Sequence, residues 1–111
     1  MKIAIPTSDK VNINDHFGRA DYFAIYDDSG VEPVYYYDNR ENANSAQGAG
    51  IQAATGVVNE KVEVVLSPSL GPKATDVLKS AGVKSYLIVE KGIPLIEVLK
   101  SYKDGKLKSI Y

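Results

Sequence analysis

Apolar positions along the chain fall into short blocks separated by polar stretches. Residues 2–6 (KIAIP) form a β-branched run closed by Pro6, which predicts a buried strand. The stretch 7–19 is polar and turn-rich and reads as a long connection, with Val11 and Ile13 as candidates for touching the core. Residues 22–27 (YFAIYD) and 33–38 (PVYYYD) predict two further strands. Asp28, Ser29 and Gly30 supply the turn between them, so the pair is expected to be an antiparallel hairpin. Polar residues 39–50 lead into a helix over about 46–60, where Ile51, Ala54, Val57, Val58 and Lys61 recur at helical spacing. Residues 62–66 (VEVVL) then predict a buried strand. An amphipathic helix over about 72–81 follows, opened by Pro72 and stopped by Gly82. Residues 84–89 predict another strand. Pro94 opens a final helix directing Leu95, Ile96, Val98, Leu99 and Tyr102 toward the core, and 103–111 form a polar tail.

The resulting order is β, β, β, α, β, α, β, α. The front hairpin is antiparallel, whereas the β-α-β-α-β half requires parallel crossovers. A mixed, five-stranded α/β sheet with about three helices satisfies both demands. No repeat or linker divides the chain, so residues 1–111 are expected to form a single domain.

Composition narrows the chemistry. The chain has 111 residues, no cysteine and a single histidine. The lack of cysteine excludes a disulfide scaffold, a Cys-ligated zinc site and a thiolate-held iron–sulfur cluster. One histidine excludes any multi-His metal site. Thirteen basic and fourteen acidic residues give a net charge of −1, which supplies no field for nucleic acid or a membrane surface. The opening apolar run is too short for a signal peptide or a membrane span. The expectation is a soluble, cytoplasmic protein, with a monomer favoured.

Two loops carry candidate chemistry. His16 stands in residues 14–20 (NDHFGRA), where it suits a metal ligand, a proton shuttle or an anion donor; the alternative is a solvent-facing or cap-forming histidine. Gly71-Pro72-Lys73 opens a helix, and amides at such a terminus favour an anion, with Lys73 adding charge. By shape alone, a turn in which Gly71 meets a backbone requirement is the stronger reading there. Gly48-Ala49-Gly50 is a weaker signal, lacking both a Walker lysine–serine pair and a dinucleotide glycine spacing. Ser67 and Ser69 lack a nucleophile-elbow pattern. Tyr35 and Tyr37 alternate with Tyr36 as in a half-buried sheet, not a stacking platform. If strands 2–6 and 62–66 are neighbours, the His16 and Gly71 loops reach the same sheet edge. The Gly48–Gly50 turn joins them only if the segment 38–50 folds over.

Residues 16–23 (HFGRADYF) after the KIAIP strand, then 48–54 (GAGIQAA), 71–74 (GPKA) and 77–87 (VLKSAGVKSYL), resemble the dinitrogenase iron–molybdenum cofactor biosynthesis domain family. These are nitrogenase accessory proteins that bind and carry the cofactor or its precursor. The resemblance spans roughly residues 1–103, and His-Phe-Gly-Arg-Ala is its most specific element. It implies a ribonuclease-H-like three-layer fold and a non-catalytic carrier of an iron–molybdenum or iron–sulfur type cluster, transiently bound. Proteins that donate or accept the cluster would be its partners. It also implies that His16 is the metal ligand and that Arg19, Gly71 and Lys73 bind the cofactor. Pro68 and Ser69 stand where many relatives have a Gly-rich turn. Two other classes remain. A nuclease would need clustered carboxylates, which the first strand lacks. A small-anion or protein-partner domain would use the Gly71 helix terminus without any metal cluster.

Overall fold

Strand β1 (Lys2–Thr7) lies at the centre of a sheet whose two halves follow different pairing rules. In this computed structural model residues 1–27 and 30–111 are described. The predicted turn residues Asp28 and Ser29 lie outside them. On one side β1 pairs antiparallel with β2 (Tyr22–Asp27), which pairs antiparallel with β3 (Tyr35–Asp38). On the other side β1 pairs parallel with β4 (Val62–Ser67), and β4 pairs parallel with β5 (Lys84–Leu87). The order is β3-β2-β1-β4-β5-β6. The expected mixed sheet and antiparallel hairpin are therefore present, but the sheet has six strands, not five.

The sixth strand, β6 (Lys108–Ser109), pairs antiparallel with β5 through Tyr86↔Ser109 and Leu87↔Lys108. Its two residues are polar and exposed, so no hydrophobic alternation marks them. Four helices replace the expected three. The additional one, α1 (Arg40–Ala43), is a single turn inside the polar stretch after β3. Too short to show a periodicity, it carries one buried residue, Ala43. Helices α2 (Ala49–Asn59), α3 (Pro72–Ser80) and α4 (Leu95–Lys103) fall where helical spacing predicts them. Helix α2 starts later than expected because Gly48 takes a left-handed conformation, φ 74°.

Alternation along the strands, interrupted by a register shift where β1 and β4 begin to pair, builds two cores, one on each face. Ala4, Phe23, Ile25 and Val65 face α2 and α3, packing with Ala53, Ala54, Val57 and Leu78. Ile3, Ile5, Ala24, Tyr26, Val64 and Leu66 face α4 and meet Leu95, Val98 and Leu99. The result is three layers, with helices on both faces of the sheet. Tyr35 and Tyr37 join the first core and Tyr36 the second, as their alternation predicts. Two expected core contacts fail: Val11 and Ile96 are exposed, at 61% and 47%. Among the described residues no helix is long and apolar enough to cross a membrane.

One close approach fixes the edge of the sheet. A Cβ on Gly18 would sit 2.7 Å from Gly50 N and 2.8 Å from Gly50 Cα. The loop after β1 therefore touches the first turn of α2 backbone to backbone, and only glycine permits it.

Two predictions test this packing. Gly18→Ala forces backbone apart and should cost about 1–3 kcal/mol, lowering the melting temperature by several degrees. Gly50→Ala places its Cβ in ordinary contact, 3.6 Å from Ala74 Cβ, and should leave stability level or raised. Thermal unfolding of the two variants side by side decides the matter; equal stabilities would contradict the close approach. Alkaline unfolding reports on the second core. Burial, aided by Tyr36 and Glu32, pushes the Tyr26 phenol up to about 12. The fold then favours the neutral phenol. Its stabilisation is complete below about pH 10 and is lost as pH climbs toward 12, because only the unfolded chain ionises in that window. Tyr26→Phe should flatten that decline in denaturation curves recorded from pH 9 to 12.

Candidate functional site

Because β1 and β4 are parallel neighbours, both release their chains at the same edge of the sheet. The connection after β1 carries His16, Gly18 and Arg19, and the connection after β4 carries Ser69, Gly71 and then Lys73. The segment after α1 does fold over, bringing Gly48, Ala49, Gly50 and Ile51 to the same place. Together these residues border a cleft of about 510 Å³, within the size range of small-molecule sites. All four sequence-predicted site residues, His16, Arg19, Gly71 and Lys73, line it.

Each residue of His-Phe-Gly-Arg-Ala has a separate physical task. Phe17 is buried and packs against Phe23 at 4.9 Å between ring centroids, anchoring the loop in the core. Gly18 admits the backbone of Gly50. Ala20 is fully buried, and its carbonyl accepts a 2.8 Å hydrogen bond from Asn39 Nδ2. The same nitrogen reaches the Gly18 carbonyl at 3.3 Å, so one buried side chain pins both ends of the Gly18–Ala20 turn. Arg19 Nη1 donates to the carbonyls of Ala43 at 2.8 Å and Ser45 at 2.7 Å. His16 is exposed, and its backbone N–H donates to Asn14 Oδ1 at 2.8 Å. Among the described residues its imidazole has no hydrogen-bond partner, so the ring does not form a cap. Ser69 Oγ donates to the Asp15 carbonyl at 2.8 Å, tying the loop after β4 to the residue before His16. The nucleophile test dismissed Ser69; its role here is to hold two walls together.

The electrostatics of the cleft have one sign. Helices α2 and α3 both begin at it, with Gly48 and Gly71 as N-caps. Neither cap offers a side-chain hydrogen bond, and neither first turn contains an acidic residue. The amides of Ala49, Gly50, Ile51, Lys73 and Ala74 donate to no described residue. Each such terminus carries roughly +0.5 of an elementary charge, and Arg19 and Lys73 add to it. Among the described residues no aspartate or glutamate lines the cleft. Two carboxylates elsewhere at this end of the sheet, Asp9 and Asp38, have partners of their own. Asp9 accepts the amides of Asn12 and Val11, which holds its carboxyl below the ordinary value. Asp38 is held down to about 2 by Arg40, which grips it at 2.8–3.0 Å.

Gly71 answers a question the sequence left open. Its φ of −66° and ψ of 160° suit any residue, and an added Cβ would meet nothing within 4 Å. No backbone requirement accounts for the glycine, which stands in the wall of the cleft with open space where a side chain would be. Among the described residues no three His, Cys, Asp or Glu side chains converge to hold a metal ion. A metal-containing guest would have to bring its own inner ligands and accept His16 as an addition.

The sequence offered the α2 contribution only as a condition, that the segment 38–50 folds over. Gly48–Gly50 lacks a phosphate-loop spacing, and the pairing of Gly18 with Gly50 joins positions far apart in the chain. Ile51, which the spacing places on α2, is exposed and lines the cleft.

Comparison with known proteins now bears on this geometry. The family described as dinitrogenase iron-molybdenum cofactor matches residues 1–105. The protein MJ0580 of Methanocaldococcus jannaschii is 32% identical over 110 residues, covering 97% of this chain and 90% of that protein. Among solved structures, the apo form of the orange protein from Desulfovibrio gigas superposes with a TM-score of 0.87 at 27% identity, covering 97% of this chain and 91% of that one. A candidate NifB protein from Thermotoga gives 0.79 at 31% identity, covering 98% and 92%. With the family match running from residue 1 to 105, the chain belongs to the dinitrogenase iron-molybdenum cofactor family.

Proposed function

We propose that this chain is a non-catalytic carrier of an anionic metal–sulfur cluster of iron–molybdenum or iron–sulfur type, or of its precursor, in cofactor biosynthesis. The observation that carries this reading is the meeting, in one cleft, of two helix N-termini without side-chain caps and an imidazole that has no partner among the described residues, none of which brings a carboxylate to the lining. The cluster is the cargo. His16 supplies one nitrogen ligand, the amides of α2 and α3 receive its anionic outer atoms, and Arg19 and Lys73 balance its charge. Gly71 lets the cluster approach the backbone. One side-chain ligand and a set of hydrogen bonds suit a guest that is received from a donor protein and passed to an acceptor. A cytoplasmic single domain working as a monomer fits such a role. The same positive cleft also favours a second reading, a small-anion or protein-partner domain with no metal cluster.

Anaerobic titration with a synthetic iron–sulfur cluster, followed by visible absorption, tests the first reading. Wild type should take up the cluster, and His16→Ala should bind it at least about tenfold more weakly, the effect of losing roughly 1.4 kcal/mol. Equal uptake would remove His16 from the site. A melting temperature raised by inorganic phosphate but not by the cluster would favour the small-anion reading. Gly71→Asp separates fold from function. An aspartate at an N-cap accepts the free amides of α3, so stability should hold or rise by a few tenths of a kcal/mol. The same carboxylate occupies the amides and adds negative charge, so cluster uptake should be lost. Unchanged uptake in a well-folded Gly71→Asp protein would place the cargo elsewhere.

A further inference from the structure

The resemblance assigns Arg19 to the cofactor, but its strongest contacts are made with the protein. We infer that Arg19 is a positioning residue, bracketing the α1–α2 connection with one edge of its guanidinium and keeping the other edge for the cargo. The inference deepens the carrier reading above and rests on it only for the second of these edges. Nη1 donates to Ala43 O and Ser45 O, and neither carbonyl accepts from any other described group. Ala43 is the buried end of α1, and Ser45 begins the polar segment that delivers Gly48 to the head of α2. Ser45 Oγ in turn donates to Gln52 Oε1 at 2.8 Å, linking the same segment to the first turns of α2. The strap over residues 44–48 thus hangs on Arg19 at one end and on α2 at the other.

The guanidinium is planar, and Nε with Nη2 forms a second fork suited to two oxygen or sulfur atoms of an anion. These two nitrogens donate to no described residue, and Arg19 lines the cleft. One side chain therefore reads the cargo and holds the strap that carries an N-terminus facing it. Lysine keeps the charge but has no rigid fork, so it cannot serve both edges at once.

Hydrogen exchange of the full-length protein tests the bracket without any cargo. The amides of Asn44, Ser45 and Gln52 are hydrogen-bonded around the strap, and those of Glu60 and Lys61 at the far end of α2 are internal controls. In Arg19→Lys, exchange at Asn44, Ser45 and Gln52 should quicken roughly tenfold with the controls unmoved. Lys73→Met, which removes a cleft charge away from the strap, should leave exchange at all five unchanged. Adding the synthetic iron–sulfur cluster should slow exchange at Asn44 and Ser45 in wild type and not in Arg19→Lys. Exchange in ligand-free Arg19→Lys equal to wild type would overturn the bracket. Slowing by the cluster to the same degree in both proteins would overturn the coupling. If wild type takes up no cluster, the carrier reading fails together with the cargo-facing edge, and the ligand-free exchange still decides the bracket.

Discussion

The parallel pairing of β1 with β4 is the constraint on which the remainder of the molecule depends. Parallel neighbours end at the same side of a sheet, so the loops that follow them are forced together without any contact of their own. Here those loops carry His16 and Gly71. Had β4 joined the sheet antiparallel, as β2 does, the two would lie at opposite ends of strands about 20 Å long. The antiparallel half has a different task. It places the buried Asn39, just past β3, beneath the Gly18–Ala20 turn, where its side chain can satisfy two carbonyls of an otherwise unsupported loop.

A shared edge does not by itself make a site. Loops of this length need ties, and the structure supplies one of each physical kind. Phe17 contributes apolar burial, Ser69 a hydrogen bond across the loops, and Gly18 the removal of a side chain so that two backbones can meet. The last tie has a consequence for charge. By bringing the head of α2 against the loop after β1, it puts a second helix terminus beside that of α3. Neither terminus is capped by its own chain. Capping side chains would stabilise both helices by about 1 kcal/mol each, so the fold leaves available stabilisation unused where amides face the cleft.

Much of this was legible from the residues, and the limits have physical causes. β-branched runs such as KIAIP and VEVVL declare buried strands, and Pro72 with Gly82 brackets α3 closely, because these signals are local. The strand β6 and the single turn α1 were not legible: two residues and four residues are too few for a period to appear. Ile96 misled for a related reason, since an apolar side chain in a helix is not thereby on the face that the helix buries. His16 and Gly71 stood out as a lone loop histidine and a glycine before a helix, and strand order could place their two loops at one edge because parallel neighbours end on the same side. The Gly18–Gly50 contact was not, because nothing in either local pattern names its partner.

The absence of cysteine takes its meaning from this architecture. A thiolate site stabilises a metal guest through several strong bonds and gives it up slowly. In this cleft the donors are amides, cations and one imidazole, each individually weak in water and each effective only while the guest excludes solvent from them. Such a site favours the overall charge and outline of a guest over the identity of its metal. Release then requires only that water regain the amides, a process the exposed rim at Gly48, Ile51 and Lys73 makes easy. The proposed carrier would have to bind and surrender the same group, and a cleft bordered by helix ends would meet both demands with one set of atoms.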